Sequence, residues 1–130
     1  MRSHFLKDLP IVGKEAVLKH IPEFDFYNVR RVIKITWIDE HNAEADRTNI
    51  NVTLAATYDD EKTRTVSPIQ LRCSGVKQLR LPDLGTAFWL SEIEIEDIAR
   101  EQIEDVRYRI KDFGGTSFEA LCAGIELAIN

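Results

Sequence analysis

From Tyr27 onward, apolar and polar residues alternate with a period of two over most of the chain. The cleanest run sets Ile50, Val52, Leu54, Ala56 and Tyr58 against Asn51, Thr53, Ala55 and Thr57. Successive side chains of a strand point to opposite sides, so this spacing predicts a strand with one buried face. Between Val29 and Ile38 the same rule places Val29, Ile33, Ile35 and Trp37 on one face, Arg31 being the exception, with Lys34 and Thr36 opposite. Ile69, Leu71 and Cys73 continue the pattern as far as Gly75, which reads as a bulge or turn that re-aims the chain toward Leu79 and Leu81. Leu90, Ile93 and Ile95 then alternate with acids, and Val106, Tyr108 and Ile110 alternate with Arg107 and Arg109. After a turn over Lys111 to Ser117, with Gly114-Gly115 as its hairpin glycines, Leu121, Ala123, Ile125, Leu127 and Ile129 fall in step.

Seven or so short strands with regularly spaced turn signals predict an all-β fold: a mainly antiparallel β-sandwich or strongly curved sheet with one or two short helices. The charged segments 39–49 and 59–67 join consecutive strands too closely for parallel crossovers. Gly13 to Ile21 has the composition of a two-turn helix that Pro22 stops. Ile95, Ile98, Ala99, Gln102 and Ile103 also fit a helical spacing, so a short helix or loop joins two strands there. A length of 130 residues suits one β-rich domain, 1–130, with residues 1–22 as an N-terminal segment containing the short helix.

Charge narrows the partner classes. The net charge of −5 argues against nucleic acid as a partner, because such binders present a basic face. No apolar run approaches the roughly 18 residues of a membrane span, and the first residues lack the pattern of a signal peptide. The expectation is a cytoplasmic protein that contacts neither nucleic acid nor membrane. Cys73 and Cys122 each lie in an apolar strand and read as buried, reduced thiols.

No catalytic constellation emerges. His4, His20 and His41 stand beside no nucleophile motif and read as surface residues. Asp39, Glu40, Glu44 and Asp46 gather around His41, but the ligand spacing and central glycine of a calcium loop are missing. Asp112-Phe113-Gly114 has the letters of the kinase metal-binding triplet without the glycine-rich loop, strand lysine or catalytic loop that triplet needs. Ser74 lacks the flanking glycines of a nucleophile elbow. The sequence therefore predicts a non-enzyme with no cofactor and no metal.

What remains is an acidic run. Between Glu92 and Asp105 seven carboxylates face a single Arg100. If Ile93 and Ile95 point inward, Glu92, Glu94 and Glu96 share the outward face. Two readings follow. The charges keep an edge strand from pairing with another molecule, or they form a surface that steers a cationic partner. On the second reading the candidate partner-binding residues are Trp89, Glu92, Glu94, Glu96, Asp97, Glu101 and Glu104. Arg107 and Arg109 on the next strand are placed to neutralise part of that charge.

The segments "SPIQLRCSGVKQLRLPDLG", "WLSEIEIEDI" and "VRYRIKDFGGTSFEALCAGIELAI" resemble small bacterial β-rich proteins classed as immunity-protein-like, from polymorphic toxin systems. The resemblance rests on Gly75, Val76, Leu79 and Leu81 after an apolar strand, on Cys122 in the last strand, and on Pro22, Phe24 and Asp25 before the first long strand. It covers residues 22–130 and carries no catalytic residue. It implies a cytoplasmic protein that binds and neutralises a cognate toxin, and the acidic run is consistent with a basic toxin. The alternative is a β-sandwich binding module or assembly subunit with no toxin partner.

Overall fold

The alternation yields the all-β fold it predicts, with shifts of phase in two places. A computed structural model describes residues 1–44, 47–83 and 87–129. Its strands are β1 (Arg2–Ser3), β2 (Val29–Asn42), β3 (Arg47–Asp60), β4 (Thr65–Ser74), β5 (Gln78–Arg80), β6 (Phe88–Trp89), β7 (Ile93–Asp97), β8 (Tyr108–Asp112), β9 (Glu119–Cys122) and β10 (Gly124–Ile129). They form two five-stranded sheets, ordered β1-β7-β8-β9-β5 and β10-β4-β3-β2-β6, with every pairing antiparallel. The protein is all-β with few short helices. One α-helix, α1 (Lys14–His20), ends just before Pro22, and the ambiguous stretch after β7 is a single 3-10 turn, Ala99–Glu101.

The two sheets bury their facing sides against each other. Val52, Leu54, Ala56 and Tyr58 of β3 meet Ile93 and Ile95 of β7 and Tyr108 and Ile110 of β8 in one apolar core. Full burial of a side chain of this kind stabilises the fold by about 1.5–3 kcal/mol. Tyr58 satisfies its hydroxyl inside the core by accepting from the Asp25 backbone N–H at 3.0 Å.

The phase of β2 departs from the simple alternation. Between Val29 and Lys34 the strand carries register shifts against β3, so Val29 and Val32 face inward while Ile33 is 66% exposed. Bulged residues swing a side chain to the other face, which a strict count of two cannot foresee. Trp37 does lie on the core-facing side, opposite Val52, yet it is 55% exposed because β2 and β3 run on past the covering sheet.

The closing segment also differs from its reading as one strand. Phe118, Ala120 and Cys122 point inward, then Ile125 and Leu127 do, so the inward phase slips by one residue at Ala123. There the chain leaves one sheet for the other, β9 for β10. The same slip separates Cys73 from Val76, where β4 gives way to β5 across Gly75. The two bends are bonded together, the Ala123 N–H donating to the Ser74 carbonyl at 2.9 Å. Gly75 has φ of 60°, and a Cβ there would stand 3.0 Å from the Ala123 methyl. The thiols of Cys73 and Cys122, one from each sheet, meet just inside. Their mutual hydrogen bond, reinforced by burial, pushes the Cys73 thiol well above its ordinary value.

The N-terminal segment is part of the body. Leu6, Leu9, Ile11 and Val17 are buried in the core, β1 pairs with the outer edge of β7, and Val12 bridges in parallel to Glu126 on the edge of β10. Gly13, at φ of 86°, lets helix α1 begin against β10, where a Cβ would collide with the Leu127 carbonyl.

Two outcomes are expected. Gly75→Ala lowers stability by about 1–2 kcal/mol in denaturant titration, because the left-handed backbone and the Ala123 contact both oppose a Cβ. Replacing Cys73 or Cys122 with Ala costs on the order of 1 kcal/mol through lost packing. Neither thiol reacts with a maleimide until the protein unfolds; rapid labelling of the native protein contradicts this packing.

Candidate functional site

Strand β7 carries the acidic run as the alternation requires, Ile93 and Ile95 inward and Glu94 and Glu96 outward. Its register sets Glu94 beside Lys111 and Glu96 beside Arg109 on β8. Glu96 lies 3.7 Å from the Arg109 guanidinium, and Asp97 lies 3.4 Å from that of Arg107. Glu94 is the most enclosed of the three. It takes a 2.9 Å contact from Arg2 and a 2.5 Å hydrogen bond from the Tyr27 hydroxyl. That bond, with burial behind it, pushes the Tyr27 pKa up to about 12, so the phenol stays a donor. Half of the run is thus held by cations and donors of the protein itself.

The other half is not. Glu92, Glu101, Glu104 and Asp105 are exposed, and among the described residues none of their side chains makes an ion pair or hydrogen bond. Trp89 lies in the other sheet, paired with Arg31, whose guanidinium sits 5.6 Å above the indole, and its ring is 55% exposed. Trp89 and Glu94 therefore belong to different sheets, joined by the short passage through Leu90 and Ser91.

That passage is held by Asp112. Its carboxylate accepts from the backbone N–H groups of Ser91, Glu92 and Gly114 at 3.2, 2.9 and 2.7 Å, and from the Thr116 hydroxyl at 2.6 Å. Burial raises its pKa, but the four hydrogen bonds outweigh burial and leave it below the ordinary 3.8. The aspartate of the kinase-like triplet is thus a structural acceptor that ties the β8–β9 turn to the start of β7.

A large concavity lies elsewhere. A cleft of about 520 Å³ opens between the turn end of the β2–β3 hairpin and the segment before β8, lined by Thr48, Ile50, Lys77, Glu104 and Asp105. Glu104 is the one sequence-predicted candidate that reaches it. Trp37 and Asp39 lie on the same side of the hairpin as Ile50, since cross-strand partners share a face. The sequence reading missed this region because it assigned Trp37 to the core and treated residues 39–46 as a charged tip. Of that tip, Asp46 falls outside the described residues.

The histidines divide. His20 and His41 are exposed, His41 facing the Thr48 hydroxyl at 3.0 Å. His4 departs from the surface reading: its Nδ1 lies 2.6 Å from the Asp25 carboxylate, and its ring stacks on Tyr27 at 3.8 Å. Among the described residues no group of three His, Cys, Asp or Glu is placed to hold a metal ion.

Asp112→Asn removes an acceptor and turns an amide N–H₂ toward backbone donors, at an expected cost of about 1–3 kcal/mol at pH 7. Because the folded pKa is depressed, the carboxylate's contribution is complete above the ordinary value and is lost as pH falls through the folded value. The gap between wild type and variant in thermal melts therefore closes on acidification below pH 3.8. A gap that stays constant with pH excludes this role for Asp112.

No curated protein and no solved structure matches this chain. The family model for Immunity protein PIM8 matches residues 19–127, which runs from the end of helix α1 into β10 and takes in strands β2 to β9 and every partner-binding candidate named above. That span is most of the chain, and it agrees with the resemblance carried by Gly75, Val76 and Cys122: this protein belongs to the Immunity protein PIM8 family.

Proposed function

We propose that this chain protects a bacterial cell by binding a cognate toxin in the cytoplasm and blocking it by occupancy, without catalysis. Membership of an immunity protein family over residues 19–127 carries the reading. The surface supports it, since Glu92, Glu101, Glu104 and Asp105 stand outward and pair with no cation among the described residues. Free carboxylates at a surface raise the encounter rate with a basic partner and disfavour acidic ones.

The test is co-expression with the product of the neighbouring open reading frame as the candidate toxin. Growth is restored, and the two chains co-elute in gel filtration. In the purified pair, changing Glu92, Glu101 and Glu104 together to Gln slows association roughly tenfold at low salt. The slowing fades as ionic strength passes about 0.15 M. Stability of the variant stays within about 0.5 kcal/mol of wild type, since these side chains hold nothing in place. Rescue of growth without a physical complex counts against occupancy, and an association rate indifferent to both charge and salt counts against steering.

A further inference from the structure

Among the described residues most sheet edges are covered or short. β1 lies along β7, and Val12 bridges to β10. The remaining outer strands, β5 and β6, are only three and two residues long. The hairpin of β2 and β3 is different. Each strand has 14 residues, but β4 pairs with β3 only from Val52 to Asp60, and β6 pairs with β2 only at Arg31 and Val32. Beyond Trp37 and Val52 no third strand pairs with either, although the Ile50 carbonyl of β3 accepts from the Val76 N–H at 2.8 Å; the edge of β2 from Ile38 onward has no backbone partner among the described residues. A two-stranded ribbon is marginal by itself in water, and uncovered strand edges are places where another chain adds.

The ribbon also presents apolar side chains to solvent. Trp37 is 55% exposed and Ile38 43% exposed, on opposite faces. Trp89 is equally exposed, but Arg31 lies over its ring, whereas no cation is stacked on Trp37 among the described residues. Charge then selects the occupant. Asp39 sits opposite Ile50, which lines the cleft, and Glu104 and Asp105 line it too, against one cation, Lys77, among the described residues.

We propose that the cleft face of this ribbon, from Trp37 and Asp39 across to Glu104 and Asp105, is the docking site for an extended segment of a partner protein bearing lysine or arginine beside an apolar side chain. The apolar residue packs on Trp37 while the cations meet Asp39 and Asp105. The uncovered edge of β2 offers main-chain hydrogen bonds to the extended backbone, the usual arrangement when a strand is added to a sheet. Identification of the partner as the toxin rests on the function proposed above; the surface can be tested apart from it.

The probe is a synthetic peptide of about twelve residues alternating lysine with valine, with a glutamate–valine peptide as control, titrated into the isotopically labelled full chain. Saturable shifts are expected at the Trp37 indole and at the amides of Asp39, Ile50 and Asp105, with the Trp89 indole unmoved and the control inert. Trp37→Ala weakens binding by roughly tenfold or more, as loss of an aromatic anchor does. Asp39→Asn combined with Asp105→Asn weakens it and flattens its salt dependence, which keeps the test sound should the ribbon of Trp37→Ala fray. Absence of saturation, shifts centred on β7, or equal binding by either variant overturns the proposal. With a toxin in hand the two ideas separate. A toxin held equally by wild type and Trp37→Ala removes this surface and leaves the immunity reading standing. Peptide binding at the ribbon, with no toxin blocked, leaves the surface and removes that reading.

Discussion

Two strands leave one sheet for the other side by side, and the backbone hydrogen bond from Ala123 to Ser74 ties their bends together. Much of the architecture depends on that joint. It carries β4 into β5 and β9 into β10, so each sheet receives strands from both halves of the chain. It brings Cys73 and Cys122 into contact as a small apolar plug, where larger side chains would push the corners apart. It also forms the floor of the cleft, since Gly75, Val76 and Ala123 all line it. The joint needs Gly75 in its left-handed conformation, because only a residue without Cβ fits both the backbone and the neighbouring methyl.

Around this joint the acidic residues divide into two kinds. Glu94, Glu96 and Asp97 lie in the strand where their backbone is fixed by two neighbours, and Arg2, Arg109 and Arg107 reach them across that ladder. Pairs near the surface contribute little each, about 0–1 kcal/mol. The carboxylates past Asp97 leave the ladder at the 3-10 turn and lose their cationic neighbours. Glu94, Glu96 and Asp97 are thus paired within the sheet, while Glu92 before them and Glu101, Glu104 and Asp105 after them have no side-chain partner among the described residues.

How far the sequence alone could be read depended on how local the cause was. Alternation in Ile50–Tyr58 and Ile93–Asp97 named the buried faces correctly, because the period of a strand is a property of consecutive residues. Pro22 ended helix α1, and Gly75 marked a corner, for equally local reasons. Ala123 gave no such signal. Alanine is at home in a strand, and the slip from Cys122 to Ile125 becomes visible only when the two ends are seen to face one core from opposite sheets. Ile33 misled for the same reason, its exposure being set by the bulged pairing with β3.

The candidate site shows the same division. From the sequence came the acidic run, the outward set of Glu92, Glu94 and Glu96, and the arginines opposite them. The family likeness was also legible there, since glycines, turn residues and apolar spacing are written in the chain. Only the tertiary structure decided which carboxylates stay free, because that depends on whether Arg2, Arg107 or Arg109 from distant positions can reach them. It alone separated Trp89 from the acidic strand and exposed Trp37. A side chain on the apolar face of a strand is buried only where a second sheet lies over it, and β2 and β3 are longer than the sheet that covers them.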